Sequence, residues 1–396
     1  MIKKAWKQYI DFRLVSMCLI LTGLFIFFRI QVGDFYFSGE SISKLVRDMS
    51  TWGILGAGVT LIIIAGHIDL SIGSQLAVTS AACALLLNPE YGPGFSTISA
   101  LLIVLCIGPL IGFLQGYLTA YIKIPSFIVT LGGLFIFRGV TQKISAYDPR
   151  VPDSSWILSI GFDYLSPVLG WLTAIIVSAL FFSMAYYNRI TRKKRELSVE
   201  PLWLFITKSI IVISLFFGFI NTVNGYRGLP LQTLIMLIIL LLLFFILKFT
   251  TFGRRLYAIG GNAEAARLSG IRSARYITGV FMLMGFLAGI AGIMWMAQNQ
   301  GSTKNAGEFY ELYAIAAAVI GGASLNGGKG TIIGTFLGGL VMATVIQGMD
   351  YSNLDNWLQL VVRGSVLVAA VGIDVMSRYP PEWLVQWRFR RGTKNY

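Results

Sequence analysis

The sequence predicts an all-α integral membrane protein, a polytopic bundle of about 11–12 transmembrane helices with both termini in the cytoplasm. Three observations carry this expectation. Only 13% of the 396 residues are charged and 56% are hydrophobic, about half the charge of an ordinary soluble domain. Apolar runs near the length needed to cross hydrocarbon as helix, about 20 residues, recur along the whole chain. Lys and Arg fall in short clusters between alternate runs, the bias expected of cytoplasmic loops.

The first run, 14–30, follows Lys3, Lys4, Lys7 and Arg13 and has the outline of a signal peptide. No small-residue cleavage site follows; the chain continues Arg29-Ile30-Gln31-Val32, so the run is read as an uncleaved first span. Runs 51–66 and 70–87 come next, separated only by a short polar turn at His67 and Asp69. Then follow 97–120, 126–142, 164–186 and 203–220, the last two joined by the basic Arg189–Arg195 stretch. The remaining runs are 231–249, 277–297, 312–322, 330–347 and 357–377. Segment 312–322 is too short to cross alone and is read as re-entrant or broken. Starting inside and alternating sides, the inner segments collect most of the 32 Lys and Arg. They are the N-terminus, Lys123, Arg189–Arg195, 248–275 and the C-terminal tail; the reverse topology would put Arg192–Arg195 outside.

The +14 formal charge does not mark a nucleic-acid binder, because no long basic stripe is interleaved with exposed aromatics. Cys18, Cys83 and Cys106 all lie inside apolar runs and read as packing residues. His67 is the only histidine and no CxxC occurs, which argues against structural zinc or a disulfide framework. Glycines spaced by four, at Gly108/Gly112/Gly116, Gly285/Gly289 and Gly334/Gly338, share one helix face and predict close backbone packing within the membrane.

One inter-span segment is unlike a connector. In Thr251–Ile271, Asn262 is suited to cap a helix and Gly270 to stop it, with good helix formers from Ala263 to Ser269 between them. Glu264 and Arg267 carry the signs favoured by the helix dipole. Ala265, Ala266 and Leu268 offer only a small apolar face. The alternatives are a weakly inserting amphipathic turn and a docking knob for a partner protein.

This segment, Phe252-Gly-Arg-Arg-Leu-Tyr-Ala-Ile-Gly-Gly-Asn-Ala-Glu-Ala-Ala-Arg-Leu-Ser-Gly-Ile271, resembles the coupling segment of monosaccharide ABC importer permeases of the ribose and xylose type. Three more stretches resemble that family in order: Gly66-His-Ile-Asp-Leu-Ser-Ile-Gly73, Ile124–Gly139, and Ala314–Gly330. The resemblance covers most of the chain outside 145–230. It implies a single permease domain, 1–396, in which 250–276 is a cytoplasmic coupling segment. Gly260, Gly261, Asn262, Glu264, Ala265, Ala266, Arg267, Leu268 and Gly270 would meet the ATPase. The implied partners are ABC ATPase subunits that bind ATP-Mg, an extracytoplasmic sugar-binding protein, a second copy of the permease and membrane lipid. The implied location is the bacterial cytoplasmic membrane; the permease itself would hold no cofactor and catalyse nothing. Residues 164–220 depart from the ribose-type pattern as an additional helix pair. That resembles the xylose-type branch and puts xylose first among monosaccharide substrates. His67 stands where the family commonly has a small or different polar residue.

An aldose is neutral and needs hydrogen-bond partners, so the path candidates are the polar residues Asp69, Ser71, Ser126 and Thr130. A carboxylate at membrane depth is costly and faces a partner or a water-filled cavity; the other reading of Asp69 is a cap on the following helix. Arg363, inside the last run, is expected to snorkel or to pair with Asp350 or Asp355. Gly322–Thr331 imitates a phosphate loop but has Ala323 and Gly330 where the pattern needs Gly and Ser or Thr, so it reads as a tight turn. An ion-coupled secondary transporter would show intramembrane carboxylates in related halves, and Asp69 is the one clear candidate. A permease for another small solute, such as branched-chain amino acids, is the nearest alternative within the ABC class.

Overall fold

The computed structural model describes residues 12–378, and these residues are helical with no regular strand. In chain order the helices are α1 (Phe12–Val32), α2 (Gly39–Ile64), α3 (Ile72–Leu87), α4 (Thr97–Ala120), α5 (Ser126–Ser145), the short α6 (Ser159–Phe162), α7 (Pro167–Lys194) and α8 (Leu202–Asn224). They continue with α9 (Leu231–Phe249), α10 (Thr251–Gly261), α11 (Ala263–Leu268), α12 (Ser273–Asn299), α13 (Tyr310–Ile320), α14 (Ile332–Tyr351) and α15 (Asn356–Arg378). Each expected apolar run falls on one of these helices. Among the described residues, 8 helices are long and apolar enough to cross a membrane by length and composition.

Two of the expected apolar runs fall on short helices. α3 has 16 residues and α13 has 11, or about 24 and 16 Å of helix. The broken reading of 312–322 therefore holds: α13 starts after Phe309, in a left-handed conformation, and ends in the turn after Ile320. α2 is long, 26 residues, but is not among the eight. Its composition explains why: Glu40, Lys44, Arg47 and Asp48 in its first part hold its hydropathy down. α8, α9, α10, α12, α13 and α14 all pack against it, so protein rather than lipid covers its apolar residues. Its start at Gly39 rather than 51 has a local cause: Ser38 accepts a hydrogen bond from the Ser41 amide, and Glu40 sits in the first turn, both favourable at a helix N-terminus.

The expected basic connector at Arg189–Arg195 is also corrected. Helix α7 runs on through Lys194, so most of the cluster is helical. Ser166 caps its start with Pro167 at the first turn, and Arg192, Lys193 and Lys194 occupy its last turn, where the dipole favours cations. At 28 residues the helix is about 42 Å long, enough to carry its basic end beyond the hydrocarbon.

α4 and α12 form the most extensive helix pair. A Cβ on Gly108 would run into the Gly285 carbonyl, and one on Gly285 into the Gly108 carbonyl; Gly112 and Gly116 press on Phe281 and Thr278 of α12 in the same way. With no side chain between them, the backbones reach a separation that larger residues forbid. α3 lies across this pair, and Thr79 donates to the Ala288 carbonyl at 3.1 Å.

Candidate functional site

α9 ends at Phe249 and Thr250 caps α10, accepting from the Gly253 amide. Asn262 then breaks the helix with an extended backbone and opens α11, its Oδ1 accepting from the Ala265 amide at 2.9 Å. Gly270, at φ +78, ends the unit, and the Ile271 amide donates back to the Ala266 carbonyl. The helix–break–helix form replaces the single short helix expected from the sequence, because residues 251–261 are themselves helical. Arg267 Nη2 donates to Glu264 Oε1 at 2.6 Å on the outer surface, and that bond holds the guanidinium pKa above its ordinary value. Ala265, Ala266 and Leu268 do not share one face. Ala266 is buried, whereas Leu268 is 76% exposed, and Ala265 is also exposed. α11 thus presents Glu264, Ala265, Arg267 and Leu268 outward.

The unit packs on α12, where Phe252 meets the Tyr276 ring and Arg255 donates to the Tyr276 hydroxyl, and it meets the end of α2 in a close backbone junction. Gly260 lies so close to the end of α2 and to the loop between α13 and α14 that a Cβ there would collide with the Ile64 carbonyl and crowd the Gly328 amide. Gly328 N–H in turn donates to the Ile64 carbonyl at 2.9 Å. Tyr257 Oη donates to the Gly330 carbonyl at 2.7 Å. Burial raises the Tyr257 phenol pKa above its ordinary value, so it stays protonated and remains a donor. Three chain segments remote in sequence, 64–66, 257–260 and 328–330, therefore meet in one backbone junction. The loop after α13 is the tight turn expected in place of a phosphate loop, closed by Ser324 N–H donating to the Lys329 carbonyl at 2.9 Å.

The chain leaving Ile64 continues into the polar turn 65–71, where the four path candidates converge. Asp69 is 1% exposed. Its Oδ1 accepts from the Ser71 amide at 2.8 Å and the Ser71 hydroxyl at 2.6 Å, and Oδ2 accepts from Gln75 Nε2 at 3.2 Å. Both readings of Asp69 meet here: it satisfies the amide at the start of α3 and belongs to a buried polar network. Ser126 Oγ accepts from the Ile68 amide at 3.2 Å, and Thr130 Oγ1 from the Leu70 amide at 3.1 Å. These two hydroxyls, one turn apart on α5, thus hold up the backbone of the turn.

Sequence reasoning missed Gln75 and Gln115. Gln75 Nε2 donates to Gln115 Oε1 at 2.8 Å, and Gln115 Nε2 donates to Ser71 Oγ at 2.8 Å. Gln75 Oε1 is buried without a hydrogen-bond partner. The available signal was a lone amide inside each of two otherwise apolar runs. His67 packs edge-on to Phe281 with ring centroids 6.3 Å apart. Arg363 corrects its expected pairing with Asp350 or Asp355: Nη1 donates to Tyr313 Oη at 2.7 Å and Nη2 to Gln359 Oε1. Gln359 lies one turn earlier on the same helix, and the guanidinium stacks over the Tyr313 ring.

At the opposite end of the bundle, the segment after α12 lies against the chain leaving α5. Val151 N–H donates to the Gln300 carbonyl at 3.0 Å, and Arg138 Nη1 to the Ala306 carbonyl at 2.6 Å. A cavity of about 450 Å³ opens between them, lined by Ser145, Asp148, Ser302, Thr303, Lys304 and Asn305.

Residues 41–371 match the family described as branched-chain amino acid transport system / permease component. The chain is 34% identical over 369 residues to the xylose transport system permease protein of Haemophilus influenzae, covering 93% of this chain and 98% of that one. It is 33% identical to the corresponding Escherichia coli protein, covering 93% of each. Against the ribose import permease of Escherichia coli it is 30% identical over 339 residues, 86% of this chain and 87% of that one. No solved structure gives a significant match. With eight helices among the described residues long and apolar enough to cross a membrane, this is a multi-pass protein of the bacterial cytoplasmic membrane, and it belongs to the ABC importer permease family, on the branch of the xylose- and ribose-type sugar permeases.

Proposed function

We propose that this chain is the membrane-spanning subunit of an ATP-driven monosaccharide importer, with xylose as the leading substrate. Two copies would form the path, two ATPase subunits would dock on α11, and an extracytoplasmic binding protein would deliver sugar at the opposite end. The α10–α11 end is then cytoplasmic, with both termini on that side. The coupling unit spans 250–276, and α7–α8 form the additional pair.

The observation that carries the reading is the junction of Gly260, Ile64 and Gly328. A short helix such as α11, with its charged face outward, is marginal alone, yet α10, which leads directly into it, is fastened by backbone contact to the segments that end α2 and lead into α14. Displacement of α11 by a closing ATPase would move both. The chain from Ile64 leads within five residues to Asp69, so the same displacement reaches the buried Asp69–Ser71–Gln75–Gln115 network. The partnerless Gln75 Oε1 is an acceptor suited to a sugar hydroxyl. The outer cavity has the neutral and charged hydrogen-bonding groups that a sugar leaving its binding protein would meet.

Charge reversal at Glu264→Arg and Arg267→Glu tests the reading. Uptake of labelled xylose into vesicles should fall at least ten-fold, as should the amount of ATPase that co-purifies with the chain. Undiminished uptake, or sugar transport by the chain without any ATPase, would overturn it. Competition by unlabelled ribose, arabinose, galactose and leucine ranks the substrates, and the family's description makes leucine the informative competitor.

A further inference from the structure

α7 and α8 pack chiefly on each other, and α8 reaches the bundle through α2. Between the end of α7 and the start of α8 lies a cavity of about 290 Å³ lined by Asn188, Arg189, Arg192, Ser198, Val199 and Glu200, together with Ala185. We infer that this cavity binds the phosphate-bearing headgroup of an anionic phospholipid of the inner leaflet. The inference rests on the side assignment above and not on the transported substrate.

The charge balance comes first. Glu200, the one carboxylate in the lining, is matched by Lys208, whose Nζ donates to Glu200 Oε2 at 2.6 Å. Arg189 is half-buried; its Nη1 donates to the Glu200 carbonyl and its guanidinium lies over the Phe205 ring at 5.4 Å. That stacking fixes the plane of the group, which a mobile surface arginine lacks. Arg192 completes the lining, with Lys193, Lys194 and Arg195 exposed beside it. Glu196 is the only acidic residue in that exposed rim from 192 to 198. The cavity and its rim are therefore strongly cationic, with hydroxyl and amide donors at Ser198 and Asn188.

The surroundings choose lipid over a soluble acidic partner. Tyr186, Tyr187 and Trp203 are all exposed at this level of the helix pair, and such rings collect where headgroups meet acyl chains. Farther along α7, Ile175, Ile176 and Phe182 are exposed and apolar, a surface for the tails. A basic pocket between helix ends on the cytoplasmic side, bordered by an aromatic belt, is the geometry that retains anionic headgroups. A basic cluster serving only to orient the chain needs neither a cavity nor a stacked arginine.

Native mass spectrometry of the full-length chain in detergent tests this, with dioleoyl phosphatidylglycerol and dioleoyl phosphatidylcholine titrated in parallel. The expected result is one phosphatidylglycerol retained per chain in preference to phosphatidylcholine. Arg192→Gln should weaken retention about five-fold, in line with about 1 kcal/mol for one cation near an anionic surface, and Arg192→Lys should restore most of it. Lys193→Gln serves as the second variant should Arg192→Gln assemble poorly. Lys304→Gln, at the opposite end, should leave lipid retention unchanged. Equal retention of the two lipids, silence of both Gln variants, or an equal effect of Lys304→Gln would overturn the inference. So would displacement by millimolar inorganic phosphate, which would mark a free-anion site, or Gln variants that retain lipid as before but no longer co-purify the ATPase, which would mark a protein-docking surface. Retention is read without transport, so its failure is separate from failure of the importer reading.

Discussion

Tyr257 on α10 donates its hydroxyl to the Gly330 carbonyl across 2.7 Å, binding a surface helix to the residue two before the start of α14. The bond joins positions 73 residues apart and adds a side-chain hydrogen bond to a junction built largely of close backbone approaches. Removing it separates fastening from folding.

Tyr257→Phe should leave the bundle assembled, because a single hydrogen bond contributes about 1 kcal/mol net and the ring remains. The expected change is in coupling: ATP hydrolysis by the reconstituted complex persists while sugar moved per ATP falls several-fold. Parallel uptake and phosphate-release assays on one proteoliposome preparation read that ratio.

Gly260→Ala should be more severe. Its Cβ meets the Ile64 carbonyl and the Gly328 amide, both backbone groups that cannot swing aside, and such overpacking costs about 1–3 kcal/mol. Transport should be lost with the ATPase still bound to α11. Co-purification at wild-type level with uptake at background is the predicted signature, whereas Gly261→Ala, where nothing lies within 4 Å, should be tolerated in the bundle contact.

Asp69→Asn and Asp69→Ala should separate shape from charge. Asn keeps one oxygen for the Ser71 amide and hydroxyl but turns an N–H₂ toward Gln75 Nε2, another donor; Ala leaves the buried Ser71 amide unmatched, at about 1–3 kcal/mol. Thermal stability in detergent should fall in the order wild type, Asn, Ala. Equal stability of all three would show that the network does not hold the turn.

Gly285→Ala should loosen the α4–α12 seam, with a clear drop in detergent melting temperature, since its Cβ strikes the Gly108 carbonyl. Gly289→Ala, one turn along, faces Val104 at ordinary contact distance and should be nearly silent. The pair measures how much of the glycine pattern works as a seam.

That contrast also shows what could be read from the chain alone. Spacing by four marked Gly108, Gly112, Gly116 and Gly285 on one face, and the helices do meet there; Gly289 fits the same spacing without the same contact, because spacing defines a face and not a partner. Asn262 and Gly270 were legible as cap and stop because those roles are local. The α10 helix was not, since its Gly-rich end is held by Ile64 and Gly328, which sequence does not place nearby. The path candidates were found by polarity within apolar runs, which is why Ser126 and Thr130 emerged together. Their actual partners are the amides of Ile68 and Leu70, and backbone groups leave no trace in composition. Arg363 was matched to the wrong residues for a related reason: the nearest carboxylates in sequence were preferred to Tyr313, 50 residues away.

The burial of α2 bears on how the chain enters the bilayer in the first place. A segment that starts with Glu40, Lys44, Arg47 and Asp48 and continues through Gly53, Gly56 and Gly58 has weak affinity for hydrocarbon by itself, since charged residues oppose partitioning and glycine adds little to it. Its stay in the membrane depends on companions synthesised much later, among them α9, α12 and α14. The centre of this protein is therefore completed last, and between synthesis of α2 and arrival of α14 the nascent chain has to be sheltered, by the insertion machinery or by its own early helices.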